Sequence, residues 1–188
     1  MTQSIITAGD ASVGLATSAG NDGTLVLQTG AAGSKVNAVS FAADGTPTLN
    51  KALLQPVVAF SAYQSSIQGF GAGATNKIVF QTKEFDTASA FDNTTNYRFQ
   101  PAISGYYSVQ FGCAFSTGTA SIALFLYKNG VSLSAAPALI AGNTTGSAVV
   151  YLNGTSDYIE IFGNSSTAQN TVAQRIYTYF QGILMARA

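Results

Sequence analysis

The sequence has no histidine, no tryptophan and one cysteine among 188 residues, and only 9% of its residues are charged. Each scarcity excludes something. Without His there is no Ser-His-Asp triad and no His-based metal site. One thiol cannot close an intrachain disulfide or build a zinc cluster. That thiol, Cys113, lies in the apolar run 109–115, which predicts a buried, inert sulfhydryl rather than a nucleophile in a basic setting. The eight basic and eight acidic groups cancel. They are also dispersed: residues 1–56 carry two Lys and three Asp, and the remainder six basic and five acidic groups. No stretch concentrates positive charge, so no nucleic-acid partner is expected.

Long hydrophobic runs are missing too. Nothing approaches the roughly 18 apolar residues of a membrane span, and residues 1–14 lack the basic and apolar regions of a secretory signal. The expectation is a chain made in a cytoplasm, without membrane insertion and without a cofactor. Helix signals are nearly absent, because Gly, Thr, Ser and Asn interrupt every helix-forming run.

What is present is an apolar fraction of 47%, enough for a core, and 61 Ser, Thr, Asn and Gln residues that supply the polar surface. A neutral surface of hydroxyls and amides is poorly protected against self-association. Short runs rich in Val, Ile, Phe and Tyr alternate with Gly, Asn and Asp turns about every ten residues, the signature of an all-β sandwich or barrel. Candidate strands after residue 56 are 57–63, 76–81, 83–86, 97–100, 105–115, 119–128, 131–133, 147–152, 157–162 and 175–186. Asn129-Gly130 and Asn153-Gly154 mark turns, the first a hairpin with positive φ at both residues.

Residues 1–56 differ. They hold one aromatic, Phe41, of the chain's nine Tyr and twelve Phe. Strands are expected at 24–28 and 36–41, joined as a hairpin through Gly30 and Gly33, with a turn at Asp44-Gly45. So few large apolar groups cannot hold an isolated hairpin together. The segment must lean on other copies or on a larger assembly, and the domain boundary is placed at Pro56.

Two later strands are apolar on both faces. In 119–128, Ile122, Leu124 and Leu126 share one face and Ala123, Phe125 and Tyr127 the other. In 147–152, Val150 and Leu152 oppose Val149 and Tyr151. A strand apolar on both sides needs cover on both. Phe125, Tyr127, Val149 and Tyr151 are therefore candidates for contact with another subunit or another covering element.

Residues 57–188 resemble the trimeric jelly-roll domain of the complement component 1q and tumour necrosis factor superfamily. Ala59-Phe60-Ser61-Ala62 is similar to that family's first strand, Lys77-Ile78-Val79-Phe80 and Phe85-Asp86 to the next ones, and Phe91-Asp92 to its aromatic-Asp position. Phe99-Gln100-Pro101-Ala102-Ile103-Ser104-Gly105-Tyr106-Tyr107 reads as the Phe-x-Pro-x-x-x-Gly-x-Tyr signature. Leu124-Phe125-Leu126-Tyr127-Lys128-Asn129-Gly130 resembles the family hairpin, and Phe180-Gln181-Gly182-Ile183-Leu184 the closing strand. The usual Leu-x-x-Gly-Asp-x-Val is altered to Leu152-Asn153-Gly154-Thr155-Ser156-Asp157-Tyr158-Ile159, and no collagen stalk precedes the domain. The resemblance implies an antiparallel two-sheet jelly roll, homotrimeric, with Phe60, Phe99, Pro101, Gly105, Tyr107, Phe180 and Gly182 as fold-defining core positions. Tyr107, Val109 and Phe111 are expected to alternate into the core.

Residues 23–49 resemble short β modules of bacteriophage fibre and tail proteins. Together the two resemblances imply a virion structural protein: segment 1–56 docks to other virion proteins, and the knob 57–188 projects to a host surface, with cell-surface carbohydrate as the expected ligand. A capsid decoration protein that stabilises the shell is the alternative of the same class. A tailspike-type glycan-degrading enzyme is the alternative of another class, opposed by the scarcity of carboxylates and the missing His.

Other candidate sites weigh less. Gly69-Phe70-Gly71-Ala72-Gly73 lacks the Lys-Ser/Thr and helix of a phosphate loop and is expected to be a flexible loop. Glu84, Asp86 and Asp92 are the one local carboxylate cluster. Calcium uses such oxygens, but the expected reading is a solvated edge whose charges discourage strand pairing. Asn93, Asn143, Asn153 and Asn164 each begin an Asn-x-Ser/Thr triplet, which chance explains in a chain so rich in these residues. Loops 141–147 and 163–170, polar and uncharged, are candidate receptor contacts through Asn143, Thr144, Thr145, Asn164 and Ser165, since amides and hydroxyls suit sugar hydroxyls.

Overall fold

The computed structural model describes residues 16–19, 25–29, 36–41, 44–49, 57–116, 121–140 and 142–188. The chain divides into two compact units, Met1–Pro56 and Val57–Ala188. Among the described residues every regular element is a β-strand.

The first unit is an antiparallel meander of β1 (Ala16–Ala19), β2 (Leu25–Thr29), β3 (Val36–Phe41) and β4 (Pro47–Leu49), in that order across the sheet. The expected hairpin is the β2–β3 pair, with Leu25 opposite Phe41. The expected turn at Asp44-Gly45 joins β3 to β4: Gly45 has φ +81° and the Asp44 carboxylate accepts the Thr46 N–H at 2.9 Å. Pro47, which has no N–H to give, opens β4 at the sheet edge, where a missing donor is tolerated.

The second unit contains β5 (Ala59–Tyr63), β6 (Gly69–Phe70), β7 (Thr75–Lys77), β8 (Thr82–Asp86), β9 (Phe91–Asp92), β10 (Arg98–Phe99), β11 (Gly105–Ala114), β12 (Ser121–Lys128), β13 (Val131–Ile140), β14 (Asn143–Leu152), β15 (Ile159–Ser165), β16 (Gln169–Asn170) and β17 (Tyr179–Arg187). One sheet has five strands in the order β14-β11-β17-β5-β8. The other has six, β13-β12-β15-β10-β9 with β7 beside β15. β6 and β16 form a two-stranded ribbon. The chain passes from β11 to β12 and β13, back to β14, across to β15 and back to β17, changing sheets repeatedly. This is an antiparallel jelly roll.

The core lies between the sheets. The Phe60 ring stacks on Phe99 at 4.3 Å and on Phe91 at 5.1 Å, and meets Phe180 edge-on at 4.9 Å. Tyr107, Val109 and Phe111 alternate inward from β11 and meet Ile122, Leu124 and Leu126 of β12 in one buried cluster. Asn129 and Gly130 close the β12–β13 hairpin with φ of +53° and +80°, the geometry the Asn-Gly pair is chosen for.

Several boundaries differ from expectation. The segment 76–81 is strand only to Lys77, and β13 runs ten residues where three were expected. The closing strand starts at Tyr179, because the carbonyl of Gln174 accepts the N–H groups of Tyr177 and Thr178 and holds that stretch as a turn. The glycine-rich stretch is not wholly a loop: Gly69–Phe70 pairs with β16, and Phe70 is buried edge-on to Phe115 at 5.1 Å.

Candidate assembly surface

Alternation on the five-stranded sheet separates two sets of side chains. Val150 and Leu152 of β14, Tyr107, Val109 and Phe111 of β11, and Phe180 of β17 face the core. The alternate positions face outward and are exposed although large and apolar: Tyr106 is 49% exposed, Val149 60%, Tyr151 41% and Ile183 46%. Met185, beside the bulge where β11 and β17 shift register at Tyr106/Tyr107, is 63% exposed. Phe85 on the edge strand β8 is also exposed.

This face has relief. At the β14 edge, the rings of Tyr106 and Tyr151 pack at 5.6 Å. The Tyr151 hydroxyl lies 3.1 Å from Ser104 Oγ, and Lys128 Nζ donates to the Tyr151 carbonyl at 2.7 Å while sitting 5.4 Å from its ring centroid. Lys128 is itself held by Asp157 at 2.8 Å. The result is a braced aromatic ridge. Toward the other edge a groove of about 270 Å³ runs over β17, between Ala59 and Phe85 on one side and Ser108 and Gln110 on the other, with Ile183 in its wall. Its polar end is tied by a 2.9 Å bond from Gln181 Nε2 to the side-chain oxygen Oε1 of Gln110.

The fold-defining residues build the platform beneath. Phe99 packs on Phe60 and, edge-on at 5.4 Å, on Tyr107, whose buried hydroxyl donates to the Ile103 carbonyl at 2.7 Å. Pro101 is buried just before this turn. A side chain at Gly105 would strike the Ala186 carbonyl and come within 2.7 Å of Leu184. One at Gly182 would lie 2.9 Å from both the Phe60 ring and Val109. Glycine there lets the closing strand sit directly on the aromatic core.

The four second-face candidates do not come together. Val149 and Tyr151 lie on the outward face of the five-stranded sheet. Phe125 and Tyr127 lie on β12, in the opposite sheet, where both are half-buried and the Tyr127 ring packs on Phe162 at 4.2 Å. One flat contact cannot use both pairs. Alternation assigns faces within a strand but not the sheet a strand joins.

The receptor-loop expectation is also corrected. Asn143, Thr144 and Thr145 belong to β14, opposite Ala114, Cys113 and Gly112 of β11; Asn164 and Ser165 belong to β15. The pleat turns Thr144 and Ser165 into the interior, where both are buried, so neither can meet a receptor. Asn164 stays half-buried and donates to the Gly73 carbonyl at 2.8 Å and Thr75 Oγ1 at 3.2 Å.

The carboxylates are engaged separately. Glu84 pairs with Arg175 at 2.5 Å and accepts from Ser61 at 3.2 Å. Asp86 is partly buried, which alone raises its pKa, but the N–H groups of Phe91 and Ala90 and the ammonium of Lys83 outweigh burial and hold it below the usual range. Asp92 accepts the N–H groups of Thr95, Thr94 and Asn96, a turn cap that depresses it strongly. Asp157 is lowered by Lys128 and Asn129. Among the described residues no group of three or more His, Cys, Asp or Glu is placed to hold a metal. Cys113 is buried as expected, and burial pushes its thiol up to about 12. Among the described residues no helix is long and apolar enough to cross a membrane.

Sequence reasoning missed Tyr106, Phe85, Ile183 and Met185 as surface residues. Tyr106 was legible, because its neighbour Tyr107 was expected to point inward. The others need the sheet order.

No protein-family model matches the sequence, and no curated protein does. Solved structures do. The globular domain of zebrafish complement 1qA matches over 71% of this chain and 100% of its own, at 21% identity and TM-score 0.51. The tumour necrosis factor Eiger from S. frugiperda matches over 71% and 96%, at 14% identity and TM-score 0.52. Murine APRIL matches over 69% and 99%, at 9% identity and TM-score 0.53. The second unit therefore has the jelly-roll fold of the tumour necrosis factor and complement 1q domains.

Proposed function

We propose that this chain is a non-enzymatic structural protein that assembles as a homotrimer through the outward face of its five-stranded sheet. The observation that carries this is the pairing of an aromatic ridge and an apolar-walled groove on one exposed face. The ridge stands on β14 and β11 and the groove runs over β17 of the same sheet, so a ridge can fill a groove only in another copy. Such a head-to-tail contact closes into a ring when the rotation allows, and the resemblance of residues 57–188 supplies the number three. Interfaces of obligate assemblies bury about 2,000–5,000 Å² and resemble a core cut open, which suits side chains as exposed as Val149 and Met185.

The place of action is proposed as a bacteriophage particle. The likeness of residues 23–49 to fibre and tail modules supports this. So does a meander of small residues with a single aromatic, Phe41, which has little apolar bulk with which to hold itself together. In this reading residues 1–56 dock to other virion proteins and the knob adheres to host surface carbohydrate, with three copies multiplying a weak contact.

Light scattering on the purified chain tests the assembly. The expected mass is about three times the 19.3 kDa of one copy; a clean monomer refutes the trimer. Labelled antibody on intact particles tests the location. Incubation with bacterial polysaccharide is expected to release no reducing ends, and release moves the protein to the glycan-degrading class.

A further inference from the structure

The second apolar face of β12 has no part in the assembly surface. On the outward side of the six-stranded sheet, the rings of Tyr127 and Phe162 form a step, 4.2 Å between centroids and 33° between planes. Phe125 stands across the β12–β15 pairing from Phe162. All three rings are half-buried. Polar groups frame the step. Lys77 Nζ lies 5.8 Å from the Phe162 centroid, pairs with Glu160 and donates to the Asn96 carbonyl at 3.1 Å. Asn164 follows two residues after Phe162, on the same face of β15. Its amide nitrogen donates to the Gly73 carbonyl and Thr75 Oγ1, and no hydrogen bond to its amide oxygen is seen among the described residues; the Glu160 side chain, 6% exposed, is held by Lys77.

The size of this patch argues against a protein partner. Aromatic side chains present about 150–250 Å² each when fully exposed, so three half-buried rings offer on the order of 200 Å², against about 800 Å² per partner in a stable protein contact. Its chemistry fits a smaller, two-sided ligand. A sugar ring has an apolar C–H face and a hydroxyl edge. An aromatic face beside an amide oxygen and an ammonium answers both.

We infer that the Tyr127–Phe162 step is a saccharide-binding platform: the rings stack on the C–H face of a pyranose, the Asn164 amide oxygen accepts from one of its hydroxyls, and Lys77, held in place by the buried Glu160, donates to another. This rests on the adhesion reading and moves its ligand from the polar loops to the outer sheet.

The test is binding of the full-length protein to an array of immobilised bacterial surface polysaccharides. Tyr127→Leu and Phe162→Leu keep apolar bulk and remove the ring. Each is expected to lower retention at least tenfold with assembly mass unchanged and the protein still folded, and periodate oxidation of the array is expected to abolish the signal. If both variants bind as well as the parent, the platform is refuted while adhesion stands. If the parent binds no polysaccharide, platform and adhesion fall together and the trimer stands. A signal that survives periodate overturns the saccharide assignment.

Discussion

Away from the β13 edge, where Val131 and Leu133 are exposed, the two sheets of the jelly roll treat their outward apolar side chains differently. The five-stranded sheet leaves Tyr106, Val149, Tyr151, Ile183 and Met185 exposed. The six-stranded sheet half-buries Phe125, Tyr127 and Phe162 and lays its own Lys77–Glu160 pair beside them. The difference marks the face that the proposed assembly uses. A side chain already packed by its own chain contributes to the stability of the protomer. One left in water gains only when a second surface removes it from water, at about 25 cal/mol per Å² of apolar area.

The largest effect that breaks this comparison is expected from charge on the ridge. Val149→Asp combined with Tyr151→Asp puts two carboxylates where a contact must be dry, and light scattering should fall from about three times 19.3 kDa to one copy. Far-UV circular dichroism should keep its strand signature, since neither side chain is in the core. Retention of the full mass would show that this face is not the contact.

Next comes the shared core beneath both faces. Gly182→Val forces carbon into a space bounded at 2.9 Å by Phe60 and Val109; overpacking of this kind costs about 1–3 kcal/mol or more, read as a lower midpoint in urea unfolding. An unchanged midpoint would mean that β17 moves away freely.

The ion pairs sharpen the contrast. Lys77→Ala leaves Glu160, whose side chain is 6% exposed, without its partner. Full burial would cost 3–5 kcal/mol; with Lys77 partly in solvent the expected loss is about 2 kcal/mol, without change of mass. Arg175→Ala removes a pair that is 60% and 35% exposed at its two ends, and an exposed pair of this kind contributes about 0–1 kcal/mol. Equal losses at the two sites would erase the difference in burial on which the comparison rests.

The smallest effect concerns acid. Asp86, Asp92 and Asp157 are held below the usual carboxylate range by N–H donors and lysines. Their folded values lie below the unfolded value of about 3.9. The stability they add is therefore present above that value and is lost as pH falls through the folded values. Thermal melts should be flat from neutral pH to about 5 and decline below about 4. A decline beginning near neutral pH would contradict the assignment, and the absence of His makes that outcome unexpected.

Much of the fold was legible in particular residues. The alternation in β11 placed Tyr107, Val109 and Phe111 in the core, Asn129-Gly130 set the β12–β13 hairpin, and the aromatic-proline-glycine signature located the β10–β11 entry. The candidate site was less legible. Asn143, Thr144 and Thr145 have loop-like composition, yet they are strand because β11, some thirty residues earlier, supplies the hydrogen-bonding partners. Local propensity for strands is weak against such pairing.

Sequence by itself determined that the chain is rich in strands, that its one thiol lies in an apolar run, that its charges are few and dispersed, and that two strands carry apolar residues on both faces. Those properties depend on composition and on a period of two, both local. Only the tertiary structure decided that the two strands join opposite sheets, so that Val149 and Tyr151 stand in solvent while Phe125 and Tyr127 are packed by neighbours. Sheet membership is set by hydrogen bonds between segments far apart in sequence, and a local pattern carries no information about which distant segment completes them.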